Sequence, residues 1–136
     1  MKKLLIAIIC VTVFSCSKTG VLQSSTNLVI EAMTSGQWKI TNFVNNGVNS
    51  TSDYSGYTFQ FKKDYTVDAI KSGVVEQSGT WSADANNKTI TSTFPTSTLP
   101  ISLLNGTWTI TNSTWTAVDA NQTINGQLRT LRLDKI

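Results

Sequence analysis

The chain is expected to form an all-β domain, a small up-and-down antiparallel β-barrel of about eight strands, behind an N-terminal signal peptide and tether. Three features carry this expectation. From residue 36 onward, large apolar side chains recur at every second position within short runs, Thr and Ser fill many of the alternate positions, and clusters of Gly, Asn and Asp separate the runs. A period of two places the apolar set on one face of a pleated strand and the polar set on the other. Runs rich in Thr, Val, Ile and aromatics between turn residues are the pattern of successive antiparallel strands.

The first forty residues are read separately. Lys2 and Lys3 are followed by an almost wholly apolar run, Leu4 to Phe14, and then by Ser15-Cys16. A charged start, a short apolar core and a small residue make residues 1–15 a secretory signal. A run of about eleven residues falls well short of the roughly twenty that a membrane-spanning helix needs. The tetrad Val13-Phe14-Ser15-Cys16 resembles the lipobox of bacterial lipoproteins, although Phe14 is bulkier than the usual occupant. That resemblance implies cleavage before Cys16 and acylation of its thiol, with the lipid bilayer as a partner. A plain secreted protein with an incidental cysteine is the alternative. By resemblance to enterobacterial sorting rules, Ser17 implies the outer membrane, with its face left open. Residues 16–35 then hold the lipidated cysteine, a polar tether (17–26, up to about 33 Å when extended) and a short plug, in which Thr26 to Met33 makes a helical turn or two.

Residues 36–136 form the barrel domain. Trp38 and Ile40 share the inward face against Lys39 and Thr41, and Tyr57, Phe59 and Phe61 oppose Thr58 and Gln60. Tyr65, Val67 and Ala69 alternate with Thr66 and Asp68; Val75, Gln77, Gly79 and Trp81 oppose Glu76, Ser78 and Thr80. Ile90 and Phe94 follow, then Trp108 and Ile110, then Trp115 and Ala117. In the final run Leu131 and Leu133 share a face with Arg129 and Lys135. Asp64, Asp84 to Asn87 and Asp119 to Asn121 read as turns, and Leu99 to Leu104 as a short helical turn. The segments GQWKITN (36–42) and GTWTITN (106–112) agree at five of seven positions, which two related strands at one depth of the barrel would explain. A two-sheet sandwich shares all of this alternation, and only pairing of the first strand with the last separates it from a barrel.

Composition removes several function classes. Lys and Arg number 11 against 8 Asp and Glu, and two of the cations belong to the signal, so the mature chain is nearly neutral. It has no Lys/Arg cluster with which to displace counterions from nucleic acid. The two cysteines, Cys10 and Cys16, precede the domain, and the sequence has no histidine. The domain therefore has no disulfide, no Cys or His metal site, no cofactor motif and no triad that needs imidazole. Its carboxylates fall in turns or on wet faces without an inward partner, so no catalytic residue is assigned.

Gly36-Gln37-Trp38 at the start of the first strand resembles the G-x-W motif of the lipocalins. GTW at 79–81 and 106–108, the aromatic strand YTFQF and the final LRTLRLDKI extend the resemblance to the short lipocalin-like domains of Bacteroidetes lipoproteins. The resemblance implies that Trp38 closes the barrel floor with Arg129 packed across it; capping of the rim by Arg129 is the alternative. It also implies a small apolar or amphipathic ligand at the open end, among Phe59, Tyr65, Trp81 and Trp115. The same aromatics also suit core filling. A non-enzymatic structural or adaptor role in the envelope is the companion reading.

Overall fold

The computed structural model describes residues 18–136, with side chains from Ser25 onward. The expected signal (1–15) and Cys16 lie outside the described residues. One helix, α1 (Lys18–Thr34), is followed by β1 (Trp38–Asn45), a two-residue β2 (Val48–Asn49), β3 (Tyr57–Phe61), β4 (Thr66–Lys71), β5 (Val74–Asp84), β6 (Thr89–Thr93), β7 (Gly106–Ser113), β8 (Ala117–Ile124) and β9 (Gln127–Lys135). Each long strand pairs antiparallel with its neighbour in sequence, and β1 also pairs with β9 along its length, from Trp38↔Lys135 to Asn45↔Arg129. That last pairing closes an eight-stranded up-and-down barrel and excludes the sandwich.

The inward phase is as expected on most strands. Trp38, Phe59, Trp81 and Trp108 are all buried, together with Ile40, Phe61, Val67, Ala69, Phe94, Leu131 and Leu133. It fails in two places, for local reasons. Between Ala69/Ile70 and Gln77/Val75 the β4–β5 register slips by one residue at Glu76. Such a bulge reverses the facing of everything beyond it, so Val75 points outward and is exposed. At the start of β8, Ala117 pairs with the outward Asp134 while Val118 pairs with the inward Leu133. The inward set of β8 is thus Val118, Ala120 and Gln122, and Trp115 stands in the turn before the strand, 53% exposed. Tyr65 is also a turn residue, with a left-handed φ of 64° and 48% exposure, so it does not line the interior. Asp119 lies within β8 rather than in a turn, and pairs with Arg132 across the outer face. Asp64 and Asp84 do cap turns, accepting the backbone N–H groups of Thr66 and of Asn86 and Asn87.

The polar stretch expected to be a tether is helical from Lys18. Its Ser and Thr content opposes helix locally; the compensation is tertiary, because Met33 is buried in the core and Val29 and Ile30 pack against it. Packing of one face supplies most helical stability in proteins. The helix lies over the barrel end where β1 begins. The far end is closed by two 3-10 turns, Thr51–Tyr54 and Ile101–Leu104, through buried Tyr54, Ile101 and Leu104. Phe43 packs on Tyr54 with tilted rings, their centroids 4.9 Å apart.

The GQW/GTW echo has a structural meaning different from shared depth. Trp38 begins β1 at one end of the barrel, whereas Trp108 lies near the beginning of β7 at the other. In each case the indole N–H donates back to a carbonyl of the helical segment just before it, Trp38 to Met33 and Trp108 to Leu104, both at 2.9 Å. Each copy fastens a helical plug onto its own end of the barrel.

Outer-face ion pairs make stability depend on acid. Lys62 lies 2.5 Å from Asp68, which also accepts a hydrogen bond from Ser78 Oγ. Asp134 accepts from Thr41 and Arg132. These donors hold both carboxyls below the ordinary carboxylate range, Lys62 being the chief cause for Asp68 and Thr41 for Asp134. A pKa lower in the folded state than in the unfolded state makes stability rise with pH. The contribution is complete above about pH 4, the unfolded value, and disappears as pH falls through the folded values. With no histidine in the chain, urea midpoints are expected to be level from pH 5 to 8 and to fall steeply below 4. A midpoint that dropped between pH 7 and 5 would contradict this account.

Candidate functional site

The barrel interior is nearly full. The internal cavity is about 50 Å³, bounded by Met33, Phe59, Phe61, Ile90, Trp108 and Leu131 among others. Ligand pockets are usually about 300–1,000 Å³, so this space is too small for a carried molecule.

A larger space lies outside the interior. Between α1 and the rim formed by the β5–β6 and β7–β8 turns is a cleft of about 650 Å³. Leu28, Val29, Ala32 and Met33 supply its helix wall; Trp38, Ile90, Ile110 and Val118 its floor; Trp115, Asp84 and Lys88 its outer lip. Met33, Ile90, Ile110 and Val118 border both this cleft and the internal cavity. They form the partition between the two.

Lys135 sets the geometry at the inner edge. Its ammonium lies 4.9 Å from the centroid of the Trp38 ring and 5.9 Å from that of Trp115. It also donates to the carbonyl of Ala32 and to Ser35 Oγ, each at 2.9 Å. A cation near the last carbonyls of a helix favours the negative end of the helix dipole, and over indole it gains a further attraction. Lys135 therefore fastens the C-terminal end of α1 to both tryptophans.

That contact revises the expected floor pair. Trp38 closes this end and is completely buried, but the cation across it is Lys135, not Arg129. Arg129 and Lys135 share a face of β9, and Arg129 pairs with Asn45 at the opposite end. There it caps the rim, donating to Asn45 Oδ1, the Leu103 carbonyl and Gln122 Oε1.

The four residues expected around a ligand are dispersed. Phe59 borders the small internal cavity. Trp81 is buried and pinned, its indole N–H donating to the Lys62 carbonyl at 2.9 Å and its ring meeting Phe61 edge-on at 5.2 Å. Tyr65 covers Trp81 from outside, with ring centroids 6.1 Å apart. Only Trp115 reaches the cleft. Leu28, Val29 and Lys88 were not anticipated as lining residues. The apolar positions of 28–33 carry the relevant signal, but only the placement of α1 across the barrel end makes them a wall. Among the described residues no cluster of three or more Cys, Asp or Glu could hold a metal ion.

No family model and no curated protein matches this chain. Among solved structures, the chain is similar to the crystal structure of a DUF4847 family protein from Bacteroides vulgatus ATCC 8482. The TM-score is 0.55 and the identity 18%, over 78% of this chain and 96% of that one. At that identity the likeness is one of fold.

Proposed function

We propose that this protein is a non-enzymatic envelope lipoprotein with a lipocalin-like barrel of the Bacteroidetes type, anchored in the outer membrane through acylated Cys16. In this reading it binds a small apolar or amphipathic molecule in the cleft beneath α1, not inside the barrel. The observation that carries the reading is the contrast between a filled interior of about 50 Å³ and an adjoining cleft of about 650 Å³ walled by Leu28, Val29, Met33, Trp38 and Trp115. The volume lies within the range of small-molecule sites, which are mostly apolar with a few polar groups. The second reading, an adaptor that contacts another envelope component, draws on the same filled interior and on the exposed Val48, Val74, Leu99 and Leu128 at the far-end loops.

The test is titration with a neutral fluorescent probe, N-phenyl-1-naphthylamine. Saturable one-to-one binding is expected, weakened about tenfold by Trp115→Ala, equivalent to about 1.4 kcal/mol, and unaffected by Phe59→Leu. Native mass spectrometry of protein taken from its own host's envelope should show a co-purifying small molecule. Empty preparations and no saturable probe binding would transfer the weight to the adaptor reading. For the anchor, Cys16→Ser should move the protein from the membrane to the soluble fraction, and unchanged fractionation would refute it.

A further inference from the structure

We infer that the cleft selects a single-chain amphiphile with an anionic head, and that Lys88 receives that head; this rests on the cleft reading proposed above. Among the described residues that line the cleft, only Asp84 and Lys88 are charged, and their situations differ. The carboxylate of Asp84 is already engaged by three donors: Asn86 N–H at 2.9 Å, Asn87 N–H at 3.1 Å and Asn87 Nδ2 at 2.7 Å. It stays ionised, but most of its acceptor sites are taken by its own turn, which leaves it less free than Lys88 to pair with a head group.

Lys88 presents the opposite case. Among the described residues, none makes a hydrogen bond or ion pair to its ammonium. Its backbone, by contrast, is fixed. The residue takes a left-handed φ of 52°, and its carbonyl accepts the Ile110 N–H at 2.8 Å. The turn thus holds an uncommitted ammonium, with three N–H donors, at the lip of an apolar trough. Lys135, beside Trp38 and Trp115 at the inner edge of the cleft, is consumed by Ala32, Ser35 and the two indoles.

An alkyl chain against Leu28, Val29, Met33, Ile110 and Trp115 would leave its head at the lip, where a carboxylate, sulfate or phosphate can pair with Lys88. A purely apolar ligand would leave that charge unused. A cationic head would face Lys88 directly, and like charges brought together are unfavourable.

The experiment is displacement of bound N-phenyl-1-naphthylamine by three twelve-carbon chains below their micelle concentrations: dodecanoate, dodecanol and dodecylammonium. Dodecanoate is expected to compete at about tenfold lower concentration than dodecanol, with dodecylammonium the weakest. Lys88→Met should abolish the advantage of the acid and leave dodecanol unchanged, while Lys88→Arg should keep the advantage. Equal competition by acid and alcohol in the native protein, or an advantage that survives Lys88→Met, would overturn the anionic preference while leaving the cleft reading intact. Binding of the probe and of all three chains failing together would overturn the cleft reading, and this inference with it.

Discussion

Trp38→Ala is expected to cost about 3–5 kcal/mol of folding stability, the range for removing a large aromatic from a core. Trp38 is completely buried, its indole N–H is the donor that fastens Met33, and its face carries Lys135. Replacement by alanine opens a void beside the existing cavity, leaves the Met33 carbonyl without that donor and removes the surface on which α1 rests. In urea denaturation the midpoint should fall sharply. Trp115→Ala, at an exposed turn, should change stability by no more than about 0.5 kcal/mol. Lys135→Met should fall between them, at about 1 kcal/mol, because it removes a cation–π contact and a helix-end charge but little volume. Similar losses for Trp38→Ala and Trp115→Ala would mean that the plug does not depend on the buried indole.

Gly79→Ala should be the most damaging small substitution, at about 3 kcal/mol or more, beyond the usual cost of overpacking. The position has ordinary backbone angles, so the requirement for glycine is one of space. A Cβ there would lie 2.2 Å from the carbonyl oxygen of Thr93 and 2.9 Å from the ring of Phe94. The ring could rotate, but the carbonyl is backbone beside the β5–β6 ladder, where Thr80 pairs with Thr93. Accommodation therefore requires the two strands to separate. The same change at Gly126, in the β8–β9 turn, meets nothing within 4 Å and is opposed only by its φ of 76°. If Gly79→Ala proved no worse than Gly126→Ala, steric exclusion by Thr93 would be refuted.

Much of this barrel was legible because alternation survives wherever pairing is regular. Tyr57, Phe59 and Phe61 needed only the period of two, and the β1–β9 closure follows once eight such strands are wrapped into a cylinder. Legibility stopped where one residue breaks the count. The bulge at Glu76 reverses Val75, and nothing in VVEQSG announces it. Trp115 has the phase of a strand residue but sits in a turn. Arg129 and Lys135 show a different limit, since period two reveals a shared face and says nothing about depth, so the residue opposite Trp38 could be identified only from the register. The cleft was hidden for a further reason. It belongs to α1 and the rim together, and the Ser- and Thr-rich start of α1 reads as unstructured until the barrel end beneath it is in place.

Closure of β1 on β9 has a consequence for how such molecules could associate. An open sheet exposes a row of free backbone donors and acceptors onto which another chain can add as a strand, the first step towards fibrils and swapped dimers. Here each long strand has a bonded neighbour on either side, although β1 meets β3 only at Trp38↔Phe59 and β5 pairs with β6 only from Thr80 to Asp84; where β1 diverges from β3, Thr51 Oγ1 takes the Phe43 N–H. The short β2 offers an edge of only two residues. Strand addition therefore has no long free terminal strand to build on, and the backbone left for it is the Val74–Gly79 half of β5 on its β6 side and the short gap between β1 and β3.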